Sequence, residues 1–332
     1  MKAATAFRDE LLESLRDLAW TQWSQLGVSG SAPPRREERA VDPEALLLFT
    51  FEIGRTDPRL FDEVLDWLAL NEPVVSVHRL RNLCVTQTDR ALVDAALAWT
   101  ARARGRGHAL QPDDTADELE PLFRQFRTAA DAHDPAFAKY GFTRPPLRRS
   151  EKSRPPSLQD PIAFALLLRR LLGVGARAEV IRVLLTIRAP RLSSRVISAS
   201  AGFAQRNVRE ALAQLLEAGV VSRVDVADER FYTADQTAWA ALLGMTAPEL
   251  PFHEDWIPGL RALTAIGRWV QRPDFDLLSP YIRASQARTL MTEVDANLQY
   301  IGLPPQMNTA RGADYWDEFT ARVRFAVGQI AR

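Results

Sequence analysis

ARAEVIRVLLTIRAPRLSSRVISASAGFAQRNVREALAQLLEAGVVSRVDVADERFYTA, residues 176–234, decides how the rest of the chain is read. Residues 177–188 place Val180, Ile181, Leu184 and Ile187 on one face, which predicts a first helix, and Ala189-Pro190 stops it. Residues 193–201 predict a short second helix capped by Ser193 or Ser194, and Gly202 supplies the tight turn after it. Residues 205–218 predict a third helix with Val208, Ala211, Leu212 and Leu215 facing inward, ended at Gly219 by the left-handed conformation that glycine tolerates. Residues 220–226 alternate apolar and polar side chains. Ala227, Asp228 and Glu229 make a turn, and 230–233 return as the partner strand.

Outward from this stretch, helix signals dominate. Residues 5–26 carry one apolar stripe (Phe7, Leu11, Leu15, Leu18, Trp23, Leu26) stopped by Gly27. Asp42-Pro43, Asp57-Pro58, Asp160-Pro161 and Ser279-Pro280 each set a capping oxygen before a proline that loses nothing at the first helical position. They predict helices over 43–53, 58–70, 161–172 and 280–300; others are expected over 87–103, 115–137, 255–271 and 312–330, with a loop over 104–114. Two polar, proline-containing stretches, 28–41 and 141–158, read as linkers. The second holds four prolines and six charges and marks the main boundary. The expected class is mainly α, a multi-domain helical protein with one small β-hairpin. Its expected divisions are an N-terminal helical domain over 1–140, the Pro/Arg-rich linker over 141–158, a unit over 159–250, and a C-terminal helical domain over 251–332.

The chain is electrically balanced, with 42 basic and 42 acidic residues, so net charge names no partner. The distribution says more: residues 144–209 carry fourteen Arg or Lys against Glu151, Asp160 and Glu179. A concentrated basic segment suits a local anionic partner. The short loop RARGRGH at 102–108 is also basic. The one cysteine, Cys84, excludes an internal disulfide and fits a reducing cytoplasm, where it reads as a small core residue. Met1 to Trp20 lacks the apolar core of a signal peptide, and no apolar run approaches the ~20 residues of a spanning helix. The expectation is a cytoplasmic protein without membrane contact. His78, His108, His133 and His253 lack partner spacing, and no HExxH or cysteine pair occurs, so no metal, cofactor or enzymatic site is expected. Gly173-Val174-Gly175 has no preceding strand and is not read as a dinucleotide loop.

Helix, helix, tight turn, helix and hairpin together resemble the winged helix-turn-helix family of bacterial transcription regulators, broadly the MarR-like and ArsR-like proteins. The resemblance rests on Gly202 in the turn, Val208 six residues on, Leu212 and Leu215 continuing its face, LLEAGVV at 215–221 leading into the wing, and the small Ser198 where the helices approach. It covers about sixty residues, and Ala204 departs from the usual capping Ser or Thr. The resemblance implies a regulator or repressor of double-stranded DNA, with the start of the third helix in the major groove. Gln205, Arg206, Asn207 and Arg209 would meet base edges, Arg206 pairing with guanine and Gln205 or Asn207 with adenine. Ser194, Arg195 and Arg188 suit phosphate, and Arg223 and Arg230 on the wing suit phosphate or the minor groove, although Asp225, Asp228 and Glu229 beside them repel it. A homodimer reading two half-sites is implied. Its expected surface lies among the apolar stripes of the C-terminal helices: Leu260, Leu263, Ile266, Trp269 and Val270; Tyr281, Ala284, Ala287, Leu290 and Val294; and Phe319, Val323 and Val327, with Phe325 off the stripe. Two alternatives stand beside this reading: a winged-helix scaffold that binds protein, and an antitoxin-like repressor with a toxin partner. Residues 43–84 offer a looser helix-turn-helix without a turn glycine, with Ser76 as cap and Arg79 and Arg81 exposed; a plain helical bundle accounts for them equally.

Overall fold

Capping oxygens set where the helices begin. The computed structural model describes residues 2–30, 38–106, 115–124, 133–305 and 310–331. The first five helices are α1 (Lys2–Gln25), α2 (Pro43–Ile53), α3 (Pro58–Asn71), α4 (Val77–Leu83) and α5 (Gln87–Ala103). Asp42, Asp57, Ser76 and Thr86 each accept from the amide three residues on, and Thr86 and Asp89 close a reciprocal capping box.

The helix expected over 115–137 does not form in its described part. Strand β1 (Glu120–Pro121) pairs in parallel with β2 (Phe142–Thr143), and among the described residues between them only the short α6 (Pro135–Ala138) is helical. Pro121 lacks the amide a helix would use there, and the Arg55 guanidinium takes the carbonyls of Pro121 and Leu122 instead. Residues 125–132 and 107–114, which include parts of that expected helix and of the basic loop, lie outside the described residues.

The stretch 144–157 is extended and lies against α3 and the end of α1. Arg144 is buried, bidentate on Asp62 at 2.7 and 3.1 Å and close to the rings of Phe123 and Phe137. Arg149 bonds Asp66, and the Arg154 amide donates to the Gly27 carbonyl at 2.8 Å. A sequence too polar to build a core is thus tied down by ion pairs.

A 3-10 turn over Pro161–Ala163 leads into α7 (Phe164–Leu172), then α8 (Ala176–Thr186), β3 (Leu192–Ser193), α9 (Ser194–Ala201), α10 (Gln205–Glu217), β4 (Ser222–Val226), β5 (Glu229–Thr233) and α11 (Gln236–Leu242). The hairpin register pairs Val226 with Glu229, so Ala227 and Asp228 form the turn, with Ala227 at φ 51°. Leu192–Ser193 adds a third strand beside β5, giving the antiparallel order β3-β5-β4. Sequence patterning does not signal so short a strand.

Helices α12 (Trp256–Val270), α13 (Pro280–Tyr300) and α14 (Tyr315–Ile330) complete the chain. Buried apolar side chains form two clusters. One joins α1–α6 with α12–α14; the other joins Ala40, α7–α11 and the three-stranded sheet. The C-terminal helices therefore share a core with the N-terminal ones. Leu260, Leu263, Ile266, Trp269, Val270, Ala284, Ala287, Val294, Phe319, Val323 and Val327 are buried inside the chain and Leu290 is half-buried, which leaves Tyr281 exposed from the stripes expected at a dimer face, with the off-stripe Phe325 exposed as well. Edge-to-face contacts of Trp269 with Phe275 and Phe319 sit in this core, each worth about 0.5–1.5 kcal/mol beyond burial.

Candidate nucleic-acid interface

Helices α8, α9 and α10 pack through Val180, Ile181, Leu184, Ile197, Val208, Ala211, Leu212 and Leu215. Ser193 caps α9 by accepting from the Val196 amide, and Gly202 ends it at φ 66°. That turn faces the rest of the chain. The Ala201 carbonyl accepts from Arg79 Nε at 2.8 Å, the Ser200 carbonyl accepts from Arg182 at 3.1 Å, and a Cβ on Gly202 would stand 2.8 Å from Ile257 Cδ1. Helix α10 then begins at Gln205 after Ala204, an N-cap residue without a capping side chain, so no cap side chain takes its first amides, and Gln205, Arg206 and Arg209 are exposed.

The nine residues assigned from sequence fall into three places. Ser194, Arg195, Gln205, Arg209, Arg223 and Arg230 line one cleft of about 700 Å³ between α9, α10 and the hairpin. Arg206 lies outside its lining; its side chain is 88% exposed and reaches back to Glu210 at 3.2 Å, while Asn207 is half-buried. Arg188 is elsewhere. Its guanidinium donates to the Leu250 carbonyl at 2.8 Å and lies over the Phe252 ring, where it lines a different cleft. Arg195 borders both clefts. In the first cleft Arg195, Arg209, Arg223 and Arg230 face Asp228 and Glu229, and Arg223 is also paired with Asp225 at 3.2 Å. The surplus is positive on the helix side and cancelled on the hairpin side.

Behind the turn lies a buried charge network that sequence reading missed. Asp42, Glu44, Arg79, Arg169, Glu179 and Arg182 are all at most 3% exposed. Arg79 donates to Asp42 Oδ1 and Glu44 Oε2 at 2.7 Å each, and its other terminal nitrogen pairs with Asp42 Oδ2. Arg169 is bidentate on Glu44 at 2.7 and 2.6 Å and bonds Glu179, which also takes Arg182 at 2.7 Å. Burial by itself would raise the carboxyl pKa values, but the guanidiniums more than offset it. Glu179 is held down at about 2 by Arg182, Arg169 and Arg79, and Asp42 is lowered by Arg79. Three cations and three anions thus join α2, α4, α7 and α8 to the carbonyls at the end of α9. The signal in the sequence was Glu179 and Arg182, three apart and flanking the apolar Val180 and Ile181 of α8.

The same network corrects the second helix-turn-helix reading. Arg79, expected exposed on a reading helix, is fully buried, because two carboxylates at the start of α2 need a cation. Arg81 is spent on Asp94 at 2.8 Å. Burial pushes the Cys84 thiol up to about 11, so it stays protonated at neutral pH. Among the described residues no group of three or more His, Cys, Asp or Glu is placed to hold a metal ion, and no helix is long and apolar enough to cross a membrane. Compared with protein-family models, curated proteins and solved structures, the chain matches none.

Proposed function

We propose that the chain is a DNA-binding regulator whose winged helix-turn-helix, residues 176–234, reads double-stranded DNA with the start of α10, as a homodimer on two half-sites. The supporting observation is the convergence of Ser194, Arg195, Gln205 and Arg209 on one cleft, with Arg206 standing free of the body beside it. A helix of this kind fits the major groove, and Arg206 leaves Glu210 to pair with guanine. Arg195 and Arg209 supply phosphate contacts that set the register. Arg188 is left out of this interface because it lines the other cleft, where it donates to the Leu250 carbonyl and to Gln236.

A second reading is favoured by one feature of the hairpin. Strand β4 is an edge strand and exposes Val224 and Val226, with Val220 exposed just before it, beside acids that repel phosphate. An edge of that kind suits strand addition by a partner protein, such as a toxin.

Fluorescence anisotropy of a labelled duplex from the region upstream of the chain's own coding sequence, titrated at several salt concentrations, separates the two. Binding with a steep salt slope supports the regulator. Salt-independent or undetectable duplex binding, with capture of a partner protein that Val224→Lys abolishes, supports the scaffold.

A further inference from the structure

A second cleft, of about 640 Å³, separates α9 from α12 and α13. Val196 and Ala199 form one wall, Ile257 and Tyr300 the other, and Phe252 and His253 line it as well. Three of these side chains are unusually open for their size: Val196 is 44%, Phe252 49% and Tyr300 62% exposed. Converging apolar surface of this kind is what small-molecule sites present.

The polar lining has one sign in excess. Arg188, Arg195 and Arg261 all border the cleft, and none is paired with a carboxylate among the described residues. Among the described residues, Arg188 holds the Leu250 carbonyl and the Gln236 amide oxygen, Arg261 has one bond to the Leu83 carbonyl at 3.4 Å, and Arg195 has none. The lining acid, Asp255, is already engaged by His253 Nε2 at 3.0 Å. The buried His253 Nδ1 has no hydrogen-bond partner among the described residues.

We infer that this cleft binds a small amphipathic carboxylate, with an aromatic or branched aliphatic body on Val196, Ile257, Phe252 and Tyr300 and its anionic head on Arg261 and Arg195. A phosphate track would need the arginines but not the apolar floor; a neutral apolar ligand would need the floor but not the arginines. Charge-assisted, bidentate pairing makes the carboxylate head the discriminating group. The inference concerns binding alone and does not rest on the DNA reading.

Isothermal titration calorimetry without DNA tests it, with phenylbutyrate, phenylacetate and hexanoate as probes and phenylbutyramide as the uncharged match. The expected result is saturable one-to-one binding of at least one acid, with the amide or the Arg261→Ala variant weaker by about tenfold or more. Arg261 is exposed, so the variant folds, and an unchanged urea midpoint verifies this. Three results each overturn the proposal: no saturable heat from any acid at millimolar concentration, equal binding of acid and amide, or an Arg261→Ala variant that binds like wild type. If no acid binds and Arg261→Ala weakens duplex binding instead, the arginines belong to a phosphate track and the carboxylate site does not exist.

Discussion

Replacing Arg79 by methionine keeps an unbranched apolar stem of similar reach and removes one buried cation. Glu44 retains the two bonds from Arg169 and the Ser76 amide at 2.7 Å, so it stays partnered. Among its hydrogen bonds Asp42 keeps the capping bond from the Ala45 amide, and with Arg182 as its remaining favourable cation it becomes the least compensated charge. Breaking a buried pair from one side costs about 3–5 kcal/mol, and the unpartnered Ala201 carbonyl adds roughly 1 kcal/mol. Protonation of Asp42 sets the ceiling. Forcing a proton onto a carboxyl whose ordinary value is 3.8 costs about 4 kcal/mol at pH 7. In the variant the folded-state pKa of Asp42 is therefore raised above its unfolded value. Protonation then favours the folded variant, and this gain shrinks as pH rises through the folded value. Lowering the pH from 7 to 5 should narrow the gap to wild type by about 1.4 kcal/mol per unit. Urea unfolding followed by tryptophan fluorescence at both pH values measures this, as a shift of midpoint at constant slope. Adding Asp42→Asn, which keeps an acceptor for the Ala45 amide, should recover most of the loss. A penalty below about 1 kcal/mol that ignores pH would refute a buried, mutually dependent network.

Other expectations follow from the same geometry. In wild type, Glu179 has a folded-state value of about 2 against an ordinary 4.5. Its contribution, on the order of 3 kcal/mol, is complete above about pH 4.5 and is lost as pH falls toward 2; urea midpoints between pH 5 and 3 should fall less steeply for Glu179→Gln. Gly202→Ala should cost about 1–3 kcal/mol in thermal unfolding, because φ is 66° and the new Cβ meets Ile257; Gly219→Ala, at φ 71° with no described atom within 4 Å of the new Cβ, isolates the backbone share. In the duplex assay Arg206→Ala should lose about 1–3 kcal/mol on the specific site only. Arg195→Ala should weaken all sequences alike and lower the salt slope by about one.

What the sequence discloses depends on how local the cause is. Helix starts at Pro43, Pro58 and Pro280 follow from a capping oxygen and a proline within three residues, so they are readable directly. The turn at Gly202 and the inward face Val208–Leu215 are equally local. The segment 115–124 is not, because its backbone carbonyls are claimed by Arg55 from 66 and 67 residues away. The ionic strap at 144–157 and the buried hexad fail for the same reason: polar residues read as solvated until their partners are known, and the partners of Arg144, Arg79 and Arg169 lie 82, 37 and 125 positions off. At the candidate interface, spacing put Gln205 and Arg209 on an exposed face, but it could not show that Arg188 turns toward Leu250 or that Arg206 rests on Glu210.

Backbone hydrogen exchange measured with and without the upstream duplex tests the central claim most directly, since it locates contact without assuming a sequence preference. Slowed exchange at residues 204–209 and around Ser194, with 43–84 unchanged, is the pattern the account requires. Unaltered exchange at the start of α10 while duplex is bound, or protection centred on α4, would contradict it.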